Sequence, residues 1–296
     1  MCQLNIMIVF YLITLTGITF TCYEVCSKHV KYKPVVIVHG ILTNYSTITD
    51  LADRISEMHP GTKVYITNQF GGFWSLEPMW HQVSKIGAEI MQICAIHPEG
   101  IHLIGYSQGG LIARGILEKY PDHNVHNFIS LSSPQGGEYG VKFLHLFYPD
   151  VALKEAYELF YSHVGQLTSV GNYWNDPHHQ DLYFKFNNFL PLINNEADDY
   201  QDEFKRGIAK LRNLVLIGGP DDGVISPWQS SQFGCYDENE DVIDMFDRDI
   251  YKQDLFGLKT LDEAGKLTRY MVAGVPHHKW HSNLSVIDHY ILPWLS

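Results

Sequence analysis

The sequence predicts an α/β fold: a mostly parallel central sheet with helices on both faces. Two observations carry this expectation. Short, wholly apolar, β-branched runs recur along the chain, and stretches with helical spacing of apolar residues separate them. Val35-Val36-Ile37-Val38 is such a run, ending at His39-Gly40, and suits a central parallel strand buried on both faces. Ile48 to Met58 reads as a helix, and Lys63-Val64-Tyr65-Ile66 as the next strand. From Leu76 to Ile96, apolar residues at Met79, Val83, Ile86, Ile90, Ile93 and Cys94 keep the spacing of an amphipathic helix. Ile101-His102-Leu103-Ile104 is a third strand and Leu111 to Tyr120 a helix. Phe128-Ile129-Ser130-Leu131 and Leu214-Val215-Leu216-Ile217 are further strands. Between about Gly140 and Gly207 the alternation stops; this aromatic-rich stretch lacks a clear strand and reads as a helical insertion.

The bulk numbers narrow the function. Hydrophobic residues make up 45% of the 296-residue chain, ample for a core. The net charge is −12 and no basic cluster is present, which excludes a nucleic-acid partner as an expectation. Many of the 16 histidines would take up protons near pH 5 and offset much of that charge, permitting life in an acidic compartment.

Residues 1–21 read as a cleaved signal peptide. Ile6 to Phe20 is apolar, its 15 residues falling short of a membrane span, and Thr19 and Thr21 suit a peptidase site before Cys22. The usual positive n-region is missing. The mature protein, 22–296, then has no stable membrane anchor. Entry into the secretory pathway gives meaning to the sequons at Asn44 and Asn283. Cys22, Cys26, Cys94 and Cys235 remain after cleavage and allow at most two disulfides.

Gly105-Tyr106-Ser107-Gln108-Gly109 matches G-x-S-x-G, with a strand before it and a helix after it. That context is the nucleophile elbow of an α/β-hydrolase, where Ser107 would be raised above the sheet edge. The Gln108 amide would sit at a helix N-terminus, where an oxyanion is favoured. The second oxyanion donor belongs to the loop after the first strand, and the Ile41 amide has that place. His39 beside it reads as a loop-stabilising residue, since chain order in this fold puts the base last. Gly218-Gly219-Pro220-Asp221-Asp222-Gly223 offers two adjacent carboxylates, which turn chemistry alone does not separate. His277, His278 and His281 all qualify as base by order. The i, i+4 pair His277 and His281 has a metal-like spacing but no evident third ligand, so neither metal nor cofactor is expected. His178-His179 with Asp181 reads as a polar turn.

These residues carry a resemblance to the palmitoyl-protein thioesterase family, covering roughly Tyr32 to Ser296. The segments that carry it are 102–110, 129–135, 172–179, 215–231 and 280–283. The resemblance implies Asp222 as the acid and His277 as the base, with Ser107 as nucleophile and Ile41 and Gln108 as oxyanion donors. It also implies that the insertion shapes an acyl-binding groove. Vertebrate relatives carry local cysteine pairs where this chain has Gly105 with Ala113 and Phe160 with Gly171. The implied activity is lysosomal hydrolysis of long-chain S-acyl thioesters with modest head groups such as acyl-CoA. A histidine base would make acylation faster as pH rises between about 5 and 7. Two other classes fit the motif: a lipase or carboxylesterase acting on oxygen esters, and a non-enzymatic lipid binder on a hydrolase scaffold.

Overall fold

The computed structural model describes residues 13–14, 17–18, 32–197 and 201–296. The signal peptide, Cys22 and Cys26 expected from the sequence lie outside the described residues or touch them only at a two-residue antiparallel pair, Ile13–Thr14 with Gly17–Ile18. Tyr32–Ser296 forms a separate compact unit.

Its sheet has six parallel strands: β1 (Val35–Val38), β2 (Val64–Ile66), β3 (Ile101–Tyr106), β4 (Val125–Leu131), β5 (Asn213–Gly218) and β6 (Leu267–Met271). They stand in the order β6-β5-β4-β3-β1-β2. The order reverses direction between β1 and β3, and open α/β sheets bind ligands at the carboxyl ends of strands flanking such a switch point.

The uniform apolarity of β1 follows from burial on both faces. Val36 and Val38 pack with α2 (Met79–Ile96) and α3 (Gln108–Lys119), through Val83, Ile86, Ile90, Leu111 and Ile116. Val35 and Ile37 face the other way, against Leu51 and Ile55 of α1 (Thr49–Met58) and against Trp280, Ile287 and Ile291 near the C-terminus. Alternate residues of one strand thus feed two cores.

β6 was not legible in the sequence. It is an edge strand, half-buried from Leu267 to Tyr270 and exposed at Met271, and its Leu-Thr-Arg-Tyr-Met run carries no apolar block. Helix α2 begins at Met79, three residues later than its periodicity suggests, because Pro78 occupies the N-cap and Gly72–Leu76 forms a separate 3₁₀ turn. Helix α3 starts at Gln108, not at Leu111; Gly109 and Gly110 look like breakers in isolation.

Between β4 and β5 the described elements are helices: α4 (Val141–Phe147), α5 (Ala156–Phe160), α6 (Ser169–Tyr173), α7 (Gln180–Phe186), α8 (Leu190–Ile193) and α9 (Asp202–Ala209). Many of their aromatics are core. Phe143, Phe160, Tyr173, Trp174 and Phe189 are all buried in the α2–α3 cluster. Cys94 and Cys235 are free thiols. No helix among the described residues is long and apolar enough to cross a membrane.

Candidate active site

Strand β3 ends at Tyr106 and α3 begins at Gln108, so Ser107 alone makes the turn between them. Its backbone sits at φ 54° and ψ −129°, a conformation that L-residues rarely adopt. Such strain persists only where the surroundings hold it. Here the Ser107 amide donates to Leu131 O at 2.9 Å, and Ser107 O accepts from the Gly110 amide at 2.9 Å. The flanking glycines are required by space. A Cβ on Gly109 would run into the Val38 and His39 carbonyls, and one on Gly105 into the Gly110 backbone.

The imidazole of His277 meets the serine directly. Its Nε2 lies 2.9 Å from Ser107 Oγ, and its Nδ1 lies 2.9 and 3.0 Å from the two carboxylate oxygens of Asp222. These partners dictate the tautomer: Nδ1 donates to the carboxylate and Nε2 accepts from the hydroxyl. His277 is held from several sides. Its amide donates to Asp222 O at 2.8 Å. Its carbonyl accepts from the Tyr106 hydroxyl at 2.9 Å, and the Tyr106 ring stacks on the imidazole.

Asp222 is buried, and the site satisfies its charge. Oδ1 accepts from the amides of Val224 at 3.0 Å and Ile225 at 2.8 Å. Oδ2 accepts from the Ser132 hydroxyl and from Trp280 Nε1, the latter at 2.6 Å. Burial alone would raise its pKa, but the bonds from His277, Ser132 and Ile225 outweigh that and hold the carboxyl below its ordinary range. Asp222 therefore stays ionised. Asp221 turns away, accepting from the Gly274 amide at 2.7 Å, which ties one loop to another.

The other histidines separate equally clearly. His278 is exposed. His281 is buried edge-on to Tyr106, its Nδ1 without a partner, and burial lowers its pKa. Both ring nitrogens of His277 are already engaged, which leaves the His277–His281 spacing no shared lone pair for a metal. His39 bonds the loop through Gly40 O at 2.9 Å and Gln69 O at 3.0 Å. His179 pairs with Asp176 at 3.1 Å and His178 with Glu240 at 3.0 Å, within a polar turn.

Gln108 is the first residue of α3, so its amide is among the helix donors without an intrahelical acceptor. Ile41 follows Gly40, whose backbone is pressed against Ser107: a Cβ there would stand 2.9 Å from Ser107 Cβ. Both amides thus belong to segments that meet at Ser107, at the carboxyl ends of β1 and β3. Ser132, Trp280 and Tyr106 were not singled out as site residues from the sequence. Each acts through a contact 58 or more residues away, or in Ser132's case 90, which no local motif encodes.

The comparisons with known proteins meet this geometry. A family model described as palmitoyl protein thioesterase matches residues 34–278, a span that holds Ser107, Asp222 and His277. The chain belongs to the palmitoyl protein thioesterase family. It is 52% identical to the lysosomal thioesterase PPT2 homolog of Drosophila melanogaster, covering 93% of this chain and 96% of that one. It is 47% identical to the lysosomal thioesterase PPT2 of Homo sapiens, covering 90% and 89% respectively. Among solved structures, the mature lipase BlEst2 of Bacillus licheniformis shares the fold, with a TM-score of 0.53 at 15% identity over 90% of this chain and 92% of that one. The protein is an enzyme of the α/β-hydrolase fold, a serine-hydrolase-type thioesterase.

In this thioesterase two open clefts, of about 960 and 350 Å³, are lined by residues such as Cys235 and Arg248 or Ser226 and Trp228, and neither by Ser107 or His277. A buried acid lies closer to the chemistry. Glu138 is fully buried; one carboxyl oxygen accepts from the Ser226 amide at 3.0 Å and the other has no partner. Burial, with the Asp222 charge adding, pushes its pKa well above 4.5, so it is folded as a neutral acid. A carboxyl with a raised folded pKa contributes stability that is complete below its unfolded value and is lost as pH rises through the folded one.

Glu138→Gln is therefore expected to flatten the fall in stability as pH rises above 4.5, relative to the parent. The two should differ by up to about 1.4 kcal/mol per pH unit within the affected window. Parallel pH-stability curves for parent and variant would refute a neutral Glu138. The histidines partly oppose this. Burial lowers His102 to about 3 and His123 to about 4, so fewer of the 16 histidines charge near pH 5 than composition suggests. The stability these two give is present above 6.5 and is lost as pH falls toward those values.

Proposed function

We propose that this enzyme hydrolyses long-chain acyl thioesters through an acyl-serine on Ser107. The observation that carries the reading is the unbroken line Ser107 Oγ–His277 Nε2 and His277 Nδ1–Asp222, inside a chain of the palmitoyl protein thioesterase family. Ser107 Oγ attacks the thioester carbonyl while His277 Nε2 takes its proton, and Asp222 stabilises the imidazolium. The amides of Ile41 and Gln108 receive the oxyanion. The C–S bond then breaks and the sulfur leaves with the proton from His277, or as thiolate with His277 giving that proton to solvent, so that the imidazole is neutral again; thiols near pKa 8.5 need less protonation than alcohols. Water, deprotonated by His277, attacks the acyl-serine, releases the fatty acid and restores the hydroxyl. The helical insertion, residues 140–207, would seat the acyl chain at about 0.8 kcal/mol per buried methylene.

The lysosome is the proposed site of action. The names of the relatives, lysosomal thioesterases, support it. Delivery would use residues 1–21 as signal peptide. Asn44 and Asn283 are proposed glycan acceptors; each uses Oδ1, not its amide nitrogen, to cap a short helix.

Hydrolysis of palmitoyl-CoA, an S-palmitoyl peptide and a triglyceride by the mature protein tests the substrate class. The thioesters are expected to exceed the triglyceride in kcat/KM by about 100-fold or more, with palmitoyl-CoA ahead of the peptide. A triglyceride preference would assign the protein to the lipases instead.

A further inference from the structure

The oxyanion loop holds a strained residue. Leu42, immediately after Ile41, has φ 54°, in the left-handed region that disfavours a branched side chain. The Ile41 amide, carried by the Gly40–Ile41 peptide, is one residue from this strained backbone and keeps its aim only if something fixes Leu42. On one side the loop is pinned by its own residues: Gly40 O accepts from Thr43 Oγ1 at 2.7 Å and faces His39 Nδ1 at 2.9 Å. On the other side the Leu42 amide donates to a single side chain, Ser75 Oγ, at 2.7 Å.

Ser75 is 1% exposed and lies in the 3₁₀ turn Gly72–Leu76. Its hydroxyl, besides accepting from Leu42, donates to Gly72 O at 2.6 Å. Gly72 in turn donates its amide to Thr43 O at 2.8 Å, so the turn grips the loop at two points. The Ser75 carbonyl faces the other limb of the site. It accepts from the Gln108 side chain at 2.8 Å, from Gln82 of α2 at 2.8 Å and from Ser169 of α6 at 3.0 Å. The far end of the Gln108 side chain accepts from the Tyr173 hydroxyl at 3.2 Å, which clamps that residue at both ends.

We infer that Ser75 is a positioning residue that sets the separation and aim of the two oxyanion donors. One residue touches both limbs: its hydroxyl holds the loop carrying Ile41, and its carbonyl holds the side chain of Gln108. A packing role alone would not require its polar atoms to meet these two segments. This inference rests on the reading of the Ile41 and Gln108 amides as the oxyanion hole.

Ser75→Ala isolates the claim, because it deletes the hydroxyl and leaves every bond to the Ser75 carbonyl available. Without its acceptor, Leu42 can relax toward negative φ and rotate the adjoining peptide. A misplacement of about 1 Å at a reacting centre lowers rates by up to about 100-fold. The expected result is a fall in kcat for palmitoyl-CoA of about 10- to 100-fold with KM within about threefold. A long-chain alkyl trifluoromethyl ketone, which forms an oxyanion on the serine, should lose affinity by the same factor. A non-hydrolysable acyl thioether of equal chain length should bind as before. Ser75→Thr, which keeps the hydroxyl, should recover most of kcat.

If Ser75→Ala folds with kcat intact, or weakens ketone and thioether equally, the inference is wrong. Should Ser75→Ala not fold, the size-matched Ser75→Cys carries the same comparison with a weak acceptor. Activity that survives in Ser107→Ala would instead defeat the serine reading itself. Loss in Ser107→Ala with no effect in Ser75→Ala would defeat only the role given to Ser75.

Discussion

Replacing Ser107 with Ala is expected to lower kcat for palmitoyl-CoA hydrolysis by about 10⁶-fold and to abolish labelling by a fluorophosphonate probe. The size of the effect follows from the lack of any substitute nucleophile. Ser107 Oγ is the atom bonded to His277 Nε2, and the variant leaves that base facing a methyl group. The fold should survive. The turn at φ 54° is held by backbone bonds to Leu131 and Gly110, which Ala keeps, and Ala suffers the same strain there as Ser. A purified variant with an unchanged Tm and more than about 1% of parental turnover would exclude a serine mechanism.

Asp222→Asn should follow with a loss of about 10⁴-fold in kcat at neutral pH, again in a folded protein. The carboxylate receives five donors: His277, Ser132, Trp280 and the amides of Val224 and Ile225. An amide offers one oxygen in place of two and turns an N–H toward groups that also donate. It therefore favours the wrong imidazole tautomer and leaves donors unmatched. Asp221→Asn provides the control. Asp221, at the surface, accepts from the Gly274 amide, and its replacement should change kcat less than about threefold. Equal losses in the two variants would mean that the turn as a whole matters and not the inward carboxylate.

The legibility of the protein in its sequence tracks the range of the interactions involved. The strand Val35–Val38 could be read because burial on both faces demands an unbroken apolar run, and that demand falls on consecutive residues. The turn at Ser107 could be read because the G-x-S-x-G pattern and the strand and helix around it are consecutive in the chain, although the contacts that exclude a side chain at Gly109 come from the distant Val38 and His39 carbonyls. The strand Leu267–Met271 escaped notice: with one neighbour only and partial burial, its composition is under weak constraint. Composition alone also could not show which histidines are exempt from protonation near pH 5. His102 and His123 sit in the interior, where desolvation sets their charge, and a residue count carries no depth.

By itself the sequence determined the alternation of strands and helices and the tight glycine-flanked turn at Ser107 between a strand and a helix. These are properties of neighbouring residues, set by steric fit and hydrophobic period. The family resemblance pointed to Asp222 and His277, but only the tertiary structure shows that Asp222 and not Asp221 faces His277, that His277 meets Ser107, and that Ser75 joins the loop of Ile41 to Gln108. Those choices depend on hydrogen bonds between segments 33 to 170 residues apart, which form only when the sheet brings the carboxyl ends of its strands together.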